Sequence, residues 1–214
     1  MWHPGTFFII AILFTSCAQS QQSAAPPPDA HLLGTCEGCE AVFEFGNKKL
    51  STVDTLPDFH DRGTQIRVMG TIYQSDAMTP AKDVILYIYH TNQEGNYAPG
   101  PDAKGWETRH GAIRGWIKTG VDGRYAFYTL RPGVYPNRSQ PAHIHPVILE
   151  PDGRYYWLGS YFFAGDSLLT FDQLQPINPR GGTSGVMALR ERDGILTGRR
   201  DIILGKNVPG YVRK

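Results

Sequence analysis

Apolar and polar residues alternate through "QIRVMGTIY" (Gln65–Tyr73), which places Ile66, Val68, Gly70 and Ile72 on one face of an extended strand. "DVILYIYH" (Asp83–His90) is a continuous run of β-branched, aromatic and other apolar residues, the pattern of a central strand. "GAIRGWIKT" leads into "VDGRYAFYTL", where Tyr125, Phe127 and Thr129 share a face. "HIHPVILEPDGRYYWLGSYFF" holds two more strands around a turn, and "GVMALRERDGILTGRRDIIL" closes the chain as a hairpin plus a last strand. Asp122-Gly123, Asp152-Gly153 and Asp193-Gly194 are each flanked by β-rich residues, and Asp-Gly in that setting signals a hairpin. One short stretch, Asp166–Leu174, looks helical. These elements predict an all-β fold, a β-sandwich of roughly eight strands with a loop-rich N-terminal arm.

The first residues break this pattern. "TFFIIAILF" is an apolar run of nine residues, whereas a membrane-spanning helix needs about 20. It suits the apolar core of an export signal, although only His3 and the free amine precede it as sources of positive charge. "FTSC", ending at Cys17, resembles the lipidation site of a bacterial lipoprotein with Phe14 in place of the usual leucine. Ordinary secretion and an uncleaved apolar tail are the alternatives. The division expected is a signal and lipoprotein segment at 1–17, a proline-rich tether at 18–31 and one folded domain at 32–214. The protein is then exported and membrane-anchored, touching the membrane only through a lipidated Cys17. Of the other cysteines, Cys36 and Cys39 form "CEGC", which in an exported protein is most simply a small disulfide loop, with unpaired thiols as the alternative. Lys and Arg number 21 against 20 Asp and Glu, a balance that gives no reason to expect nucleic acid. The 24 glycines and 16 prolines favour short strands and many turns.

The chemistry concentrates in "RPGVYPNRSQPAHIHPVILE" (Arg131–Glu150). His143 and His145 stand two residues apart, so on a strand both imidazoles leave the same face. Two imidazoles aimed at one point suit a metal or a reaction; core packing or a surface coincidence is the plain alternative. Tyr135 precedes Pro136, which biases it towards extended backbone. Upstream, "YIYHTNQEGNYAPG" ends a strand in a Gly-containing loop that presents Tyr97. His110 reads as a loop residue or a neighbour of a site, His60 and His90 as structural. Trp106, Trp116 and Trp157 suit the core or a pocket wall, and Asp166 a turn or helix cap.

"VILYIYHTNQEGNY", "GWIKTGVDGRYAFYTLRPGVYPNRSQPAHIHPVI", "YFFAGD" and "RRDIILG" together resemble the intradiol ring-cleavage dioxygenases, which include the protocatechuate and catechol dioxygenases. The resemblance covers about Thr64 to Gly205. It implies a non-haem Fe(III) held by Tyr97, Tyr135, His143 and His145, since a hard, highly charged ion favours anionic phenolates. It also implies a catechol-type substrate and O2. The catechol is expected to displace Tyr97, whose freed phenolate takes up a substrate proton. The ring then opens between its two hydroxylated carbons to a muconate-type diacid. Tyr97, Arg138 and Gln140 are the residues assigned to catalysis. Gln140 stands where the family often has arginine, and Arg138 is the nearby positive charge; Ser160 stands near a family glutamine. Asn137 follows Pro136 where some relatives carry a bulky side chain, which suggests a more open or polar pocket. A non-catalytic β-sandwich binding module on a lipoprotein and a zinc or copper enzyme built on the HxH pair are the competing readings. The sequence leaves the oligomeric state and the particular catechol open.

Overall fold

The computed structural model describes Met1 and residues 25–213. Cys17 and the apolar run before it lie outside the described residues, as does the first half of the expected tether, 18–24. Among the described residues the strands are β1 (His31–Leu32), β2 (Val53–Thr55), β3 (Gln65–Tyr73), β4 (Ile85–Tyr89), β5 (Arg114–Lys118), β6 (Arg124–Leu130) and β7 (His143–Leu149). They continue with β8 (Arg154–Trp157), β9 (Tyr161–Phe163), β10 (Val186–Met187), β11 (Arg190–Arg192), β12 (Ile195–Arg199) and β13 (Ile202–Ile203). Helix among the described residues is confined to α1 (Glu107–His110), α2 (Phe171–Leu174) and two 3-10 turns at Cys39–Phe43 and Arg180–Gly182.

Two sheets form the expected sandwich. One runs β1-β8-β7-β4-β5, with β9 also pairing β7 and carrying β10. The other runs β11-β12-β3-β6-β2, with β13 also pairing β3. Strict alternation in β3 turns Ile66, Val68 and Ile72 inward against Phe127 and Tyr125 of β6. Leu86, Ile88, Ile117, Ile144 and Ile148 meet them from the opposite sheet. The continuous apolar run of β4 has a different cause. Its inner face serves this core, while its outer face carries Ile85 and Tyr87 into a second cluster with Trp116, Val147 and Tyr155. The Cys39–Phe43 turn covers that second cluster, and Cys36 and Cys39 are joined by a disulfide. The N-terminal arm therefore closes the outer face of the β7-β4-β5 sheet, the face on which the histidines project.

Asp152-Gly153 and Asp193-Gly194 close the antiparallel β7–β8 and β11–β12 hairpins, as expected. Asp122-Gly123 does not close a hairpin: it links β5 to β6, which lie in different sheets. Asp-Gly supplies the turn but does not select the strand's neighbour; here Gly123 gives its carbonyl to Ile72 N at 2.8 Å. The helical stretch shrinks to α2, where Thr170 and Gln173 cap each other reciprocally.

Candidate metal centre

The period of β7 puts His143 and His145 on the outer sheet face, in line with Val147. The strand is entered under restraint. Asp166 accepts a hydrogen bond from Ala142 N at 3.1 Å and also faces the Arg131 guanidinium at 3.4 Å. His143 Nδ1 donates to the Pro141 carbonyl at 2.7 Å. That bond fixes the tautomer of the neutral ring and leaves Nε2 as a lone pair directed at the site.

The tyrosines arrive on two loops fastened side by side. Gly133 N donates to Asn92 O at 3.0 Å, Thr91 Oγ1 to Gly133 O at 2.9 Å and Gln93 Nε2 to Arg131 O at 2.8 Å. Asn92 Oδ1 accepts from Asn96 N at 2.9 Å and holds the first loop in a tight turn. Gly95 has a φ of +80°, and a Cβ there would lie 1.8 Å from Val134 O. Only glycine lets the two backbones come this close, and the closeness brings Tyr97 to Tyr135.

Four donor atoms then close a ring. Tyr97 Oη lies 2.9 Å from Tyr135 Oη and 2.8 Å from His145 Nε2. Tyr135 Oη lies 3.2 Å from His143 Nε2, and the two Nε2 atoms are 3.0 Å apart. Ligands that share one ion at ~2 Å stand about 3 Å from one another, so the ring has the dimensions of a coordination set. Burial pushes both imidazoles below the ordinary histidine range, and for His145 the charges of His143, His110 and His90 add to that effect. They are therefore neutral and free of competing protons near neutral pH. Tyr97 is pushed the other way, first by burial and then by its hydrogen bond with Tyr135. Its phenol deprotonates only for a strongly charged cation.

A family model described as Dioxygenase matches residues 43–181. The chain belongs to the intradiol dioxygenase family. It is 27% identical over 121 residues to the protocatechuate 3,4-dioxygenase beta chain of Burkholderia cepacia, an alignment covering 52% of this chain and 50% of that one. The chain thus spans about half the length of this curated relative. Its fold is similar to the dioxygenase domain of a dioxygenase–carbohydrate-binding protein fusion from the cellulolytic bacterium Streptomyces sp. SirexAA-E, with a TM-score of 0.52, 24% identity and coverage of 73% and 90% of the two chains. It is also similar to an intradiol ring-cleavage dioxygenase from Tetranychus urticae, with a TM-score of 0.53, 19% identity and coverage of 79% and 92%. A third likeness is to catechol 1,2-dioxygenase from Acinetobacter sp. ADP1, with a TM-score of 0.54, 18% identity and coverage of 87% and 64%.

In this member of the intradiol dioxygenase family, His145 lines two cavities. The larger, about 620 Å³, is lined by Gln140, Ser160, Trp157, Phe162, Arg180 and Arg200 among others. The smaller, about 320 Å³, is lined by Tyr97, Tyr135, Tyr89, His110, Trp106 and Glu37 among others. Gln140 and Ser160, the two departures from the family pattern, thus border one space beside His145. Arg138 and Asn137 are exposed and line neither cavity. Arg138 has a positive φ of 52° in the turn after Pro136. The guanidiniums at the larger cavity are instead Arg180 and Arg200, which sequence reasoning did not single out. Arg200 is buried and donates to Thr183 Oγ1 at 3.1 Å and to Gly159 O at 2.9 Å. Trp157 and Trp106 are cavity walls, while Trp116 belongs to the outer core. His90 is buried and bonds to Thr129 Oγ1 at 2.7 Å; His60 is exposed.

Proposed function

We propose that this chain is a non-haem Fe(III)-dependent dioxygenase that opens a catechol-type ring between its two hydroxylated carbons with O2. The observation that carries this is the closed ring of Tyr97 Oη, Tyr135 Oη, His143 Nε2 and His145 Nε2 at 2.8–3.2 Å. The donor chemistry supports ferric iron over the zinc alternative. Among the described residues no three His, Cys, Asp or Glu side chains gather to hold a metal, so an ion with three or more protein ligands at this place needs phenol oxygen beside His143 and His145. Structural and catalytic zinc is held by nitrogen, sulfur and carboxylate ligands. Two phenolates and two neutral imidazoles suit a hard trivalent cation.

Tyr97, Tyr135, His143 and His145 would hold the iron. Bound there, Fe(III) supplies the Lewis acidity and the redox centre that make a catecholate reactive towards O2. The protein's own residues do the rest. The Pro141 carbonyl keeps the proton of His143 on Nδ1 and the lone pair of Nε2 towards the site. The buried Tyr97 phenol, once free as phenolate, is a stronger base than an exposed tyrosine and can accept a substrate hydroxyl proton at Oη. Trp157 and Phe162 offer apolar walls for an aromatic ring in the larger cavity, and Gln140 offers an amide beside them. Export and anchoring through a lipidated Cys17 belong to the same proposal.

The test is loading with Fe(III), followed by metal content, visible absorption and product analysis with a catechol in air. Stoichiometric iron, a phenolate-to-iron visible band and a muconate-type product support the proposal. A colourless protein that takes up no iron favours a binding module instead.

A further inference from the structure

The two histidines are held by different means. His143 has its Nδ1 pinned to the Pro141 carbonyl at 2.7 Å. Among the described residues no hydrogen bond reaches His145 Nδ1; its bonds run only through Nε2, into the donor ring. Within the protein, the His145 imidazole is oriented by its Nε2 contacts and by the rings packed against it. A metal-binding histidine ordinarily takes its orientation from a hydrogen bond on its second nitrogen.

The packing is specific. Tyr89 of β4 stands opposite His145 of β7 in the antiparallel ladder. Directly opposed side chains on one sheet face touch, and here the rings stack with centroids 4.6 Å apart and planes at 13°. The other face of Tyr89 lies on His110, 3.8 Å away and within 5° of parallel. Beyond His110 comes Trp106, at 5.3 Å and 29°. His110 is itself fixed, with Tyr87 Oη 2.8 Å from its Nδ1. The disulfide loop closes the far end: a Cβ at Gly38 would lie 2.6 Å from His110 Nε2 and 3.1 Å from Trp106. A column of rings thus runs from the Cys36–Cys39 loop to His145.

We propose that Tyr89 is a positioning residue: its ring, backed by His110 and Trp106, sets the plane of the His145 imidazole and thereby the fourth corner of the metal site. The inference rests on the iron reading given above. It requires the ring and not the hydroxyl, since no hydrogen bond engages Tyr89 Oη among the described residues. It also gives the disulfide loop a path of contact to the centre.

Wild type, Tyr89→Phe and Tyr89→Leu are loaded with Fe(III), and iron loss to a chelator is followed with the visible band. Thermal midpoints of the metal-free proteins are measured alongside. Tyr89→Phe should match wild type within about twofold, and Tyr89→Leu should lose iron about 10–100-fold faster, the range for groups that orient a metal ligand. The band of Tyr89→Leu should also shift at full loading, which a loss of stability alone does not produce. Should Tyr89→Leu fail to fold, His110→Gln tests the column one ring further out, where the amide can still accept from Tyr87, and faster iron loss is again expected. Tyr89→Leu, or in its place His110→Gln, that holds iron as wild type does overturns the positioning role alone. So does a Tyr89→Phe that loses iron as fast as Tyr89→Leu. A wild type that never takes up iron overturns the reading of the site itself.

Discussion

Tyr97 Oη and His145 Nε2 lie 2.8 Å apart although 48 residues separate them in the chain. Tyr97 comes from a loop that follows the central strand, and His145 from the neighbouring strand of the same sheet. The β4–β7 ladder and the loop contact at Gly95 together bring them into one ring with Tyr135 and His143. Each donor is ordinary alone; what sets them apart is their convergence in one ring.

Removing a donor should cost metal. His145→Ala and Tyr135→Phe are each expected to weaken iron binding by at least about 10–100-fold, the scale already set by groups that merely orient a ligand. Tyr97→Phe should retain part of the iron and move the visible band, because one phenolate absorber is gone. Metal analysis and absorption spectra of the three variants check this, and wild-type iron content in His145→Ala contradicts it.

The cavity assignment separates Gln140 from Arg138. Gln140→Ala should raise the KM for a catechol by about 3–10-fold, the worth of one hydrogen bond, with iron content unchanged. Arg138→Ala, at an exposed position off both cavities, should leave KM within about twofold. Steady-state kinetics on both variants decides, and a larger effect from Arg138→Ala contradicts the placement.

These residues also mark how far the sequence could be read. The HxH geometry was legible because a period of two needs only a strand, and β3, β4 and β6 were legible from unbroken β patterning. Asp122-Gly123 misled because a turn signal says nothing about which sheet the next strand joins. Arg138 stands near the expected position in sequence, but its left-handed backbone in the turn after Pro136 accompanies an exposed side chain. Arg180 and Arg200 reach the larger cavity from the C-terminal part of the chain. The Tyr89–His145 stack depends on a cross-strand register that no local pattern encodes.

Acid should destabilise the metal-free protein. Burial, with the charge of Arg114 adding to it, lowers His110 to about 4, while an unfolded histidine titrates near its ordinary value of about 6.5. The unfolded chain thus takes up a proton that the folded chain refuses in this window. The contribution to stability is complete above about pH 6.5 and is lost as the pH falls towards about 4. His143 and His145 act in the same direction. Urea unfolding at about pH 7.5 and about pH 5 should show the loss, and His110→Gln should show less of it. Equal pH slopes for wild type and His110→Gln contradict the assignment.

Anchoring is tested through Cys17. Cys17→Ser should move the protein from the membrane fraction to the soluble exported fraction without changing its iron content. Unchanged fractionation contradicts lipidation at this residue.

The most direct test of the central claim is the visible spectrum of the wild-type protein reconstituted with Fe(III), recorded with its metal content before and after anaerobic addition of a catechol. One iron per chain, a phenolate-to-iron band giving a burgundy colour and a shift of that band to longer wavelength with catechol are the predicted result. A colourless protein, or one that retains zinc and excludes iron, contradicts it.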